Sequence, residues 1–343
     1  MEMTHTGFGL AKDGTPVDQF AIGNAQGMSV ELINLGATVK SVSVPDRDGQ
    51  RSNVTLGFPS LDGYLGSHPY FGSTVGRFAN RIAGGSFPLE GTVHRLALND
   101  GPNHLHGGEV GFSHVVWTAE PFESDGEAGV RFEYHSPDGE ERYPGNLTVE
   151  ATYSLTEANE LVMAFEATSD RPTPVNLINH AYWNLGGAGD TLDHVLTIEA
   201  DHYLPVDATQ IPTGSIAPVA GTALDFTVAK PVGRDIDDVP GSRVGYDFCY
   251  VLRHRSAPAP AARLMHEGSG RVMEVITSQP GLQLYTGNNL TGFEPHGGFG
   301  RFAGLCLETQ HFPDAPNRPE WPSTILGPGE RYAHVTIHRF SND

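Results

Sequence analysis

A strict two-residue alternation of apolar and polar side chains is the feature that most constrains this chain. It runs through residues 147–155, where the apolar positions are Leu147, Val149, Ala151, Tyr153 and Leu155. Successive side chains of a β-strand point to opposite faces of a sheet, so the run predicts a strand with one covered face. After a turn at 156–159, the same alternation resumes with Leu161, Met163, Phe165 and Ala167. The two runs together predict an antiparallel hairpin.

Comparable runs occur along the whole chain, at 28–35, 38–44, 271–278, 281–285 and 332–340. Gly and Pro make up about a fifth of the 343 residues, which is typical of many short strands joined by tight turns. Helical signals are confined to one or two turns near 60–65, and 204–226 is predicted to be a long ordered loop. The pattern predicts an all-β fold, a large antiparallel β-sandwich with few short helices.

The domain organisation follows from the lack of internal boundaries. The composition does not shift along the chain, and no repeat period is visible. The single low-complexity stretch, at 256–262, is short and lies between predicted strands, so it is interpreted as a surface loop. Residues 1–343 are therefore predicted to form one domain.

Charge and composition exclude several classes of partner. The net charge is −20, which repels phosphate backbones and anionic lipids, so neither nucleic acid nor a membrane is an expected partner. The same charge disfavours a phosphorylated substrate and favours a neutral small molecule. The N-terminus lacks a secretory pattern, and no run reaches the roughly 18 apolar residues of a membrane span. With only two cysteines, Cys249 and Cys306, the chain is predicted to be a cytoplasmic protein with reduced thiols.

Two segments carry groups suited to proton transfer on a carbohydrate. Residues 176–185 place His180 among three asparagines, Tyr182 and Trp183, and Glu308 directly follows the apolar residues 305–307. Amides and aromatic rings bind and stack on polyhydroxylated rings, and a histidine exchanges a proton near neutral pH. One proton donor and one acceptor in such company indicate acid–base chemistry on a sugar.

Four further polar clusters adjoin predicted strands. They contain Asn80 with Arg81, His104 with His106, Asp247, and Gln283. Taken singly, each has a structural interpretation as a turn, a surface pair or the polar face of a strand. His104 and His106 would point to opposite faces of an extended segment, so a zinc site is not expected.

In combination, these segments resemble the galactose mutarotase, or aldose 1-epimerase, family. Five blocks stand in the family's order, at 76–82, 104–108, 179–185, 281–288 and 307–314. The resemblance implies the family's large twisted supersandwich of antiparallel strands, an aldose as substrate, and neither cofactor nor metal. It also implies that His180 is the general acid and Glu308 the general base. The positions implied to contact the sugar are Asn80, Arg81, His106, Tyr182, Asp247 and Gln283.

The chain departs from the family pattern at two places away from the presumed acid–base pair. Ile178 stands where the family usually has Thr, and Ser113-His114 replaces a common Asp-Lys. The reaction that the resemblance implies is the interconversion of α and β anomers of a neutral aldose, such as galactose or glucose, by ring opening and closure. We expect Glu308 to be ionised and His180 protonated at neutral pH. The rate should then rise as Glu308 ionises and fall as His180 loses its proton.

Three alternatives remain open from the residues. A glycoside hydrolase would use two carboxylates, Glu308 with Asp247 or Asp225, and would leave His180 without a role. A non-catalytic carbohydrate-binding domain would keep the aromatic and amide residues without needing both His180 and Glu308. A mutarotase for phosphorylated hexoses is disfavoured by the acidic charge balance.

Overall fold

The computed structural model describes residues 1–241, 244–253, 257–290 and 298–343. The strands of the first half are β1 (Glu2–Leu10), β2 (Pro16–Gly23), β3 (Ser29–Ile33), β4 (Thr38–Pro45), β5 (Arg51–Asn53), β6 (Thr74–Val75), β7 (Arg81–Ile82), β8 (Ser86–Leu89), β9 (Thr92–Arg95), β10 (His104–Leu105), β11 (Thr118–Ser124), β12 (Glu127–Ser136), β13 (Leu147–Thr156) and β14 (Glu160–Ser169). Those of the second half are β15 (Thr173–Pro174), β16 (Ile178–Asn179), β17 (Val195–Ile198), β18 (His202–Tyr203), β19 (Ala217–Pro218), β20 (Lys230–Pro231), β21 (Asp247–Val251), β22 (Ala259–Met265), β23 (Arg271–Thr277), β24 (Gly281–Tyr285), β25 (Cys306–Gln310), β26 (Ile325–Leu326) and β27 (Tyr332–Asn342).

Helices in the described part of the chain are short. The single α-helix there is α1 (Leu61–Leu65), and it follows Ser60, whose side chain makes no capping hydrogen bond. Single 3₁₀ turns lie at Ala83–Gly85, Phe112–His114, Glu140–Arg142, Ile236–Asp238 and Ala315–Asn317. None of these helices is long and apolar enough to cross a membrane.

Three large antiparallel sheets dominate the architecture. One has nine strands in the order β11-β12-β13-β14-β27-β23-β22-β17-β20. The second has five strands in sequence order, β1 to β5, and the third has the order β19-β18-β21-β24-β25. Four two-stranded ribbons, β7 with β10, β6 with β16, β8 with β9 and β15 with β26, connect them. The third sheet is called the site sheet below because it carries Asp247 and Glu308.

The apolar faces of all three sheets meet in one continuous core. Phe20 and Val30 of the second sheet, Val149 and Phe165 of the nine-stranded sheet, and Leu282 of the site sheet belong to the same buried cluster. On the site sheet the alternation is strict, since Leu282, Leu284 and Leu307 enter this core while Gln283 and Glu308 occupy the opposite face. The core therefore covers one face of the site sheet, and the functional side chains lie on the opposite face.

The structure confirms most of the fold predicted from the sequence and corrects two details. The hairpin predicted from the alternation is β13–β14, with Leu155 opposite Leu161. The interpretation of 256–262 as a surface loop is wrong for residues 259–262, which begin β22, while Ser256 lies outside the described residues. Residues 204–226, predicted to be one long loop, contain the short strand β19 (Ala217–Pro218). The runs at 271–278 and 281–285 are both strands, as predicted, and β23 and β24 belong to different sheets.

Candidate active site

An open cleft of about 330 Å³ lies on the polar face of the site sheet. Seven of the eight site residues predicted from the sequence line it, namely Asn80, Arg81, His106, His180, Tyr182, Asp247 and Glu308. They come from β7, the end of β10, the segment after β16, β21 and β25. Residues far apart in the sequence are thus brought together in one place.

The centre of the cleft is the pair formed by His180 and Glu308. The Nε2 atom of His180 lies 3.8 Å from Oε2 of Glu308, and the two side chains are 6% and 3% exposed. Among the described residues, Oε2 of Glu308 has no hydrogen-bond partner. A buried polar atom without a partner is costly, so its orientation towards the cleft indicates that a ligand or water supplies the missing bond.

The backbone around His180 is held on both sides. Its N–H donates to the carbonyl of Ser73 (2.9 Å), and its carbonyl accepts from the N–H of Gly72 (3.0 Å). Gly72 has a φ of +64°, and a Cβ there would lie 1.9 Å from the carbonyl oxygen of Val39, so only glycine fits. The turn at Gly72 therefore fixes the position of the His180 backbone, from which the imidazole extends into the cleft.

Aromatic rings fix the plane of the imidazole. Tyr70 and Tyr182 stack on its two sides, with centroids at 5.8 and 5.1 Å and interplanar angles of 27° and 26°. His106 meets it edge-on at 5.3 Å. These contacts restrict the plane of the imidazole, and in this plane Nε2 faces Glu308.

His106 has a defined tautomer. The backbone N–H of Asn80 donates to Nδ1 of His106 (3.2 Å), so this nitrogen carries no proton. Burial lowers the pKa of His106 well below its usual value, with His180, Arg81 and His104 contributing in the same direction. The imidazole is therefore neutral with its proton on Nε2, and it is a hydrogen-bond donor towards the cleft.

Arg81 is held by a carboxylate that the sequence motifs did not include. Its Nε donates to Oδ2 of Asp100 at 2.7 Å, and the guanidinium is 9% exposed. The N–H of Arg81 also donates to Oδ1 of Asn80 (2.8 Å). A guanidinium fixed in this way presents its remaining N–H groups in a constant direction, which suits recognition of sugar oxygens.

Gln283 is the one predicted site residue that does not line the cleft. It is buried, and its Nε2 donates to Oδ1 of Asp247 (2.8 Å), which does line it. Nε2 of Gln310 in turn approaches Oε1 of Gln283 (3.5 Å). Gln283 therefore lies beneath the surface of the cleft and orients the carboxylate of Asp247.

Burial reverses the protonation expected for the central pair. It raises the pKa of Glu308 to about 8, with the charge of Asp247 adding to the rise and that of Arg81 opposing it. Burial also lowers the pKa of His180 to about 4, against a small opposing effect of its own backbone. Both shifts run against the expectation of an ionised Glu308 beside a protonated His180 at neutral pH, because desolvation disfavours the charged form of each group. Burial therefore favours a protonated Glu308 beside a neutral imidazole.

One group of metal-ligand side chains occurs in the part of the chain that the structure describes. It consists of His106, His180 and Glu308, whose ligand atoms all lie within 4.8 Å of one another. A metal ligand must be an unprotonated nitrogen, and Nε2 of His106 holds its proton as long as Nδ1 accepts from Asn80. The geometry thus suits proton transfer better than metal binding.

Other candidates from the sequence have structural roles. His104 is fully buried, and its two ring nitrogens contact the carbonyl of Ala97 (2.8 Å) and the hydroxyl of Tyr143 (2.7 Å). It points away from His106, as the extended spacing predicts. Oδ1 of Asp225 accepts from the N–H and hydroxyl of Thr227, and Asp225 is not part of the cleft.

Six cleft residues were not predicted from the sequence, and four of them carry polar groups, namely Tyr70, Asp100, Tyr285 and Asn289. Tyr70, Asp100 and Asn289 lie outside the strands, where no alternation marks a face. Tyr285 ends β24 and is opposite both Asp247 and Cys306 in the pairing of the site sheet. For Tyr285 the alternation with Leu282 and Leu284 was a usable signal.

The departures from the family pattern lie outside the cleft lining. Ile178 is buried with Val75 and Ala79 in a small separate cluster. His114 is half-exposed, its Nδ1 lies 2.7 Å from the carbonyl of Val110, and its ring is 6.2 Å from that of Tyr70. His114 is therefore one residue removed from the cleft.

Comparison with known proteins places this geometry in context. The family model described as aldose 1-epimerase matches residues 18–339. The chain is 45% identical to the galactose mutarotase of Homo sapiens over 345 residues, covering 99% of this chain and 98% of the relative. It is 37% identical to the aldose 1-epimerase of Escherichia coli strain K12 over 339 residues, covering 96% and 97% of the two chains.

A solved structure shows the same fold. The galactose 1-epimerase of Lactobacillus acidophilus NCFM superimposes with a TM-score of 0.88 at 33% sequence identity. The match covers 100% of this chain and 99% of that one.

Proposed function

Because the chain belongs to the aldose 1-epimerase family, we propose that Glu308 and His180 transfer the protons that open and close the sugar ring. The chain is an isomerase that interconverts the α and β anomers of an aldose. The proposal concerns which residues perform this reaction and in which protonation states. The observation that carries it is the 3.8 Å approach of Nε2 of His180 to Oε2 of Glu308 inside the cleft.

Ring opening requires two proton transfers, one at each of the two oxygens bonded to the anomeric carbon. The Glu308 carboxylate removes the proton of the anomeric hydroxyl while Nε2–H of His180 protonates the ring oxygen, and the bond between that oxygen and the anomeric carbon breaks. The product is an open-chain aldehyde beside a protonated Glu308 and a neutral His180. Rotation about the bond next to the carbonyl exposes its other face, and the reverse transfers close the ring as the opposite anomer.

The pKa values of Glu308 and His180 favour the protonation states that accompany the open-chain sugar. A Glu308 pKa of about 8 and a His180 pKa of about 4 correspond to the protonated acid and neutral imidazole that stand beside the open chain. The ionic form that opens the ring is less stable in the empty site. A bound anomeric hydroxyl donates a hydrogen bond to the carboxylate and so stabilises the ionic form at the moment it is needed.

The remaining residues bind the sugar and polarise it. Nε2–H of His106 and the guanidinium of Arg81 donate hydrogen bonds to sugar oxygens, including the oxygen that becomes the aldehyde. Asn80 and Asp247 bind other hydroxyls, and Tyr182 provides an aromatic face. Gln283 acts through Asp247 and has no direct contact with the sugar.

A neutral aldose is the proposed substrate, with galactose or glucose as the first candidates. The relatives named galactose mutarotase support this choice. The cleft also contains three carboxyl side chains, Asp100, Asp247 and Glu308, which disfavour a phosphorylated hexose. We further propose that residues 1–343 act as one cytoplasmic domain without a cofactor, since its three large sheets share a core.

Substitution of Glu308 by Gln tests the proposal directly. The amide keeps the shape of the side chain but cannot accept the proton, so turnover should fall by about 10²–10⁴-fold while the sugar still binds. Polarimetry of freshly dissolved α-galactose and α-glucose gives the rate. Asp225→Asn is the control, since Asp225 lies outside the cleft and should be needed only by a two-carboxylate hydrolase. A Glu308→Gln enzyme with the original rate would leave at most a sugar-binding site.

A further inference from the structure

The imidazole of His180 contacts a thiol on the side remote from Glu308. Sγ of Cys306 lies 3.6 Å from Nδ1 of His180, and Cys306 is fully buried. Cys306 and Glu308 are two residues apart on β25, so both side chains project from the same face of the site sheet. One strand therefore supplies a group to each nitrogen of the ring.

The two nitrogens have different tasks in the reaction. Nε2 faces Glu308 and exchanges a proton with the sugar, so it must be protonated before ring opening and unprotonated after it. A neutral imidazole carries its single proton on one nitrogen only. For Nε2 to be the unprotonated atom, Nδ1 has to hold its proton throughout the cycle.

We propose that Cys306 is a positioning residue, whose sulfur accepts a hydrogen bond from Nδ1–H of His180 and so reserves Nε2 for proton exchange. The inference rests on the proposed function of His180. Glu308 is compatible with this tautomer, because the O–H of its protonated carboxyl can donate to an unprotonated Nε2. The backbone of His180 also favours the protonated ring, which adds an acceptor without replacing the sulfur.

A thiol suits this position because it is neutral and a weak acceptor. Burial raises the pKa of Cys306 well above its usual value, Glu308 and Asp247 raise it further, and a hydrogen bond with Tyr182 opposes the rise, so the group stays a thiol. A carboxylate at Nδ1 would stabilise the imidazolium strongly and raise the pKa of His180. With sulfur in that place the imidazolium remains a strong acid, and protonation of a weakly basic ring oxygen needs one.

The groups around the imidazole are all accounted for in this arrangement. Those that face it from the packed segments are Tyr70, His106, Tyr182, Cys306 and Glu308, with Arg81 and Asp247 acting on Glu308. The two tyrosines lie on the faces of the ring and His106 meets it edge-on. Substitution at Cys306 therefore addresses Nδ1 specifically.

Two variants and a matched control test the proposal. Cys306→Ala removes the acceptor, so kcat should fall about 2- to 10-fold with KM within twofold. Cys306→Ser restores an acceptor that is stronger than sulfur, so it should recover most of kcat and move the acid limb of the pH–rate profile upwards. Cys249→Ala is the control because Cys249 is equally buried but lies in a different apolar cluster, and it should stay within twofold of the original enzyme.

Nitrogen-15 NMR of histidine-labelled protein supplies a readout that packing alone would not change. In the unsubstituted enzyme at neutral pH, His180 should show a protonated Nδ1 and an unprotonated Nε2, and Cys306→Ala should shift the proton towards Nε2. A proton on Nε2 in the unsubstituted enzyme would overturn the proposal even if Cys306→Ala does not fold. Equal losses in Cys306→Ala and Cys249→Ala, or full activity of Cys306→Ala, would also overturn it.

The same experiments separate this inference from the proposed function. If Glu308→Gln is inactive while Cys306→Ala has full kcat, only the role of Cys306 fails. If Glu308→Gln is fully active, the assignment of the acid–base pair fails, whatever the cysteine variants do.

Discussion

Replacing Glu308 by Gln should change the stability of the protein in a pH-dependent way. In the folded chain burial holds the pKa of Glu308 at about 8, against an ordinary value of 4.5. Between these values the folded state keeps a proton that the unfolded state has released, so the free energy of unfolding falls as pH rises. His180 has the opposite sign, because its pKa of about 4 lies below its ordinary 6.5, and only about 0.4 kcal/mol of its contribution remains to develop above pH 6.5.

The window from pH 6.5 to 8 therefore isolates Glu308 within this pair. One pKa unit corresponds to about 1.4 kcal/mol, and Glu308 is half ionised at pH 8, so over this window the free energy of unfolding of the unsubstituted protein should lose about 1.6 kcal/mol relative to Glu308→Gln. Urea denaturation of both proteins at pH 6.5, 7.2 and 8.0 measures the difference, and titrations of groups remote from Glu308 cancel between them. Glu123→Gln, at an exposed position of β11, should run parallel to the unsubstituted protein. Parallel curves for Glu308→Gln would show that Glu308 is already ionised in the folded state.

Two further predictions concern the reaction. A plot of kcat/KM against pH should be bell-shaped, with an acid limb near 4 where His180 takes a second proton and an alkaline limb near 8 where Glu308 releases the last one; loss of the alkaline limb on substituting His180 rather than Glu308 would contradict this assignment. Activity should survive exhaustive chelation, because Nε2 of His106 keeps its proton while Nδ1 accepts from Asn80; inactivation by EDTA with recovery on adding zinc would show that the histidines are metal ligands.

Strands with a regular alternation of apolar and polar residues were predictable from the sequence, whereas their assembly into sheets was not. The alternation in β13 and β14 is a local property, and a short turn makes their pairing almost inevitable. By contrast, β23 and β24 are separated by three residues yet belong to different sheets. β23 instead pairs with β27, far along the chain, and that choice depends on long-range packing that no local pattern records.

The cleft shows the same division between local and long-range information. The motifs identified His180 and Glu308, and the alternation of Gln283 with Leu282 and Leu284 gave its face correctly. The sequence did not show that Gln283 lies behind Asp247 and does not line the cleft, because the burial of a side chain depends on the neighbouring strands. Asp100, which holds Arg81, was missed because it lies on a loop without a pattern.

Protonation was the least predictable property of the site. The sequence suggests an ion pair at neutral pH, since the ordinary pKa values of Glu and His lie on either side of it. The structure buries both side chains almost completely, and desolvation then favours the neutral form of each. Burial at this level is a property of the assembled cleft and not of the motifs.

The central claim is that His180 and Glu308 act as one proton-transfer pair, and a double-mutant cycle measured by polarimetry tests it most directly. Glu308→Gln and His180→Asn should each reduce kcat by about 10²–10⁴-fold, after subtraction of the uncatalysed rate. Because either substitution alone interrupts the same concerted transfer, the double variant should lose little more than the worse single variant. A double variant whose loss equals the product of the two single losses would show that the residues act in independent steps, and a single variant with full activity would remove that residue from the reaction.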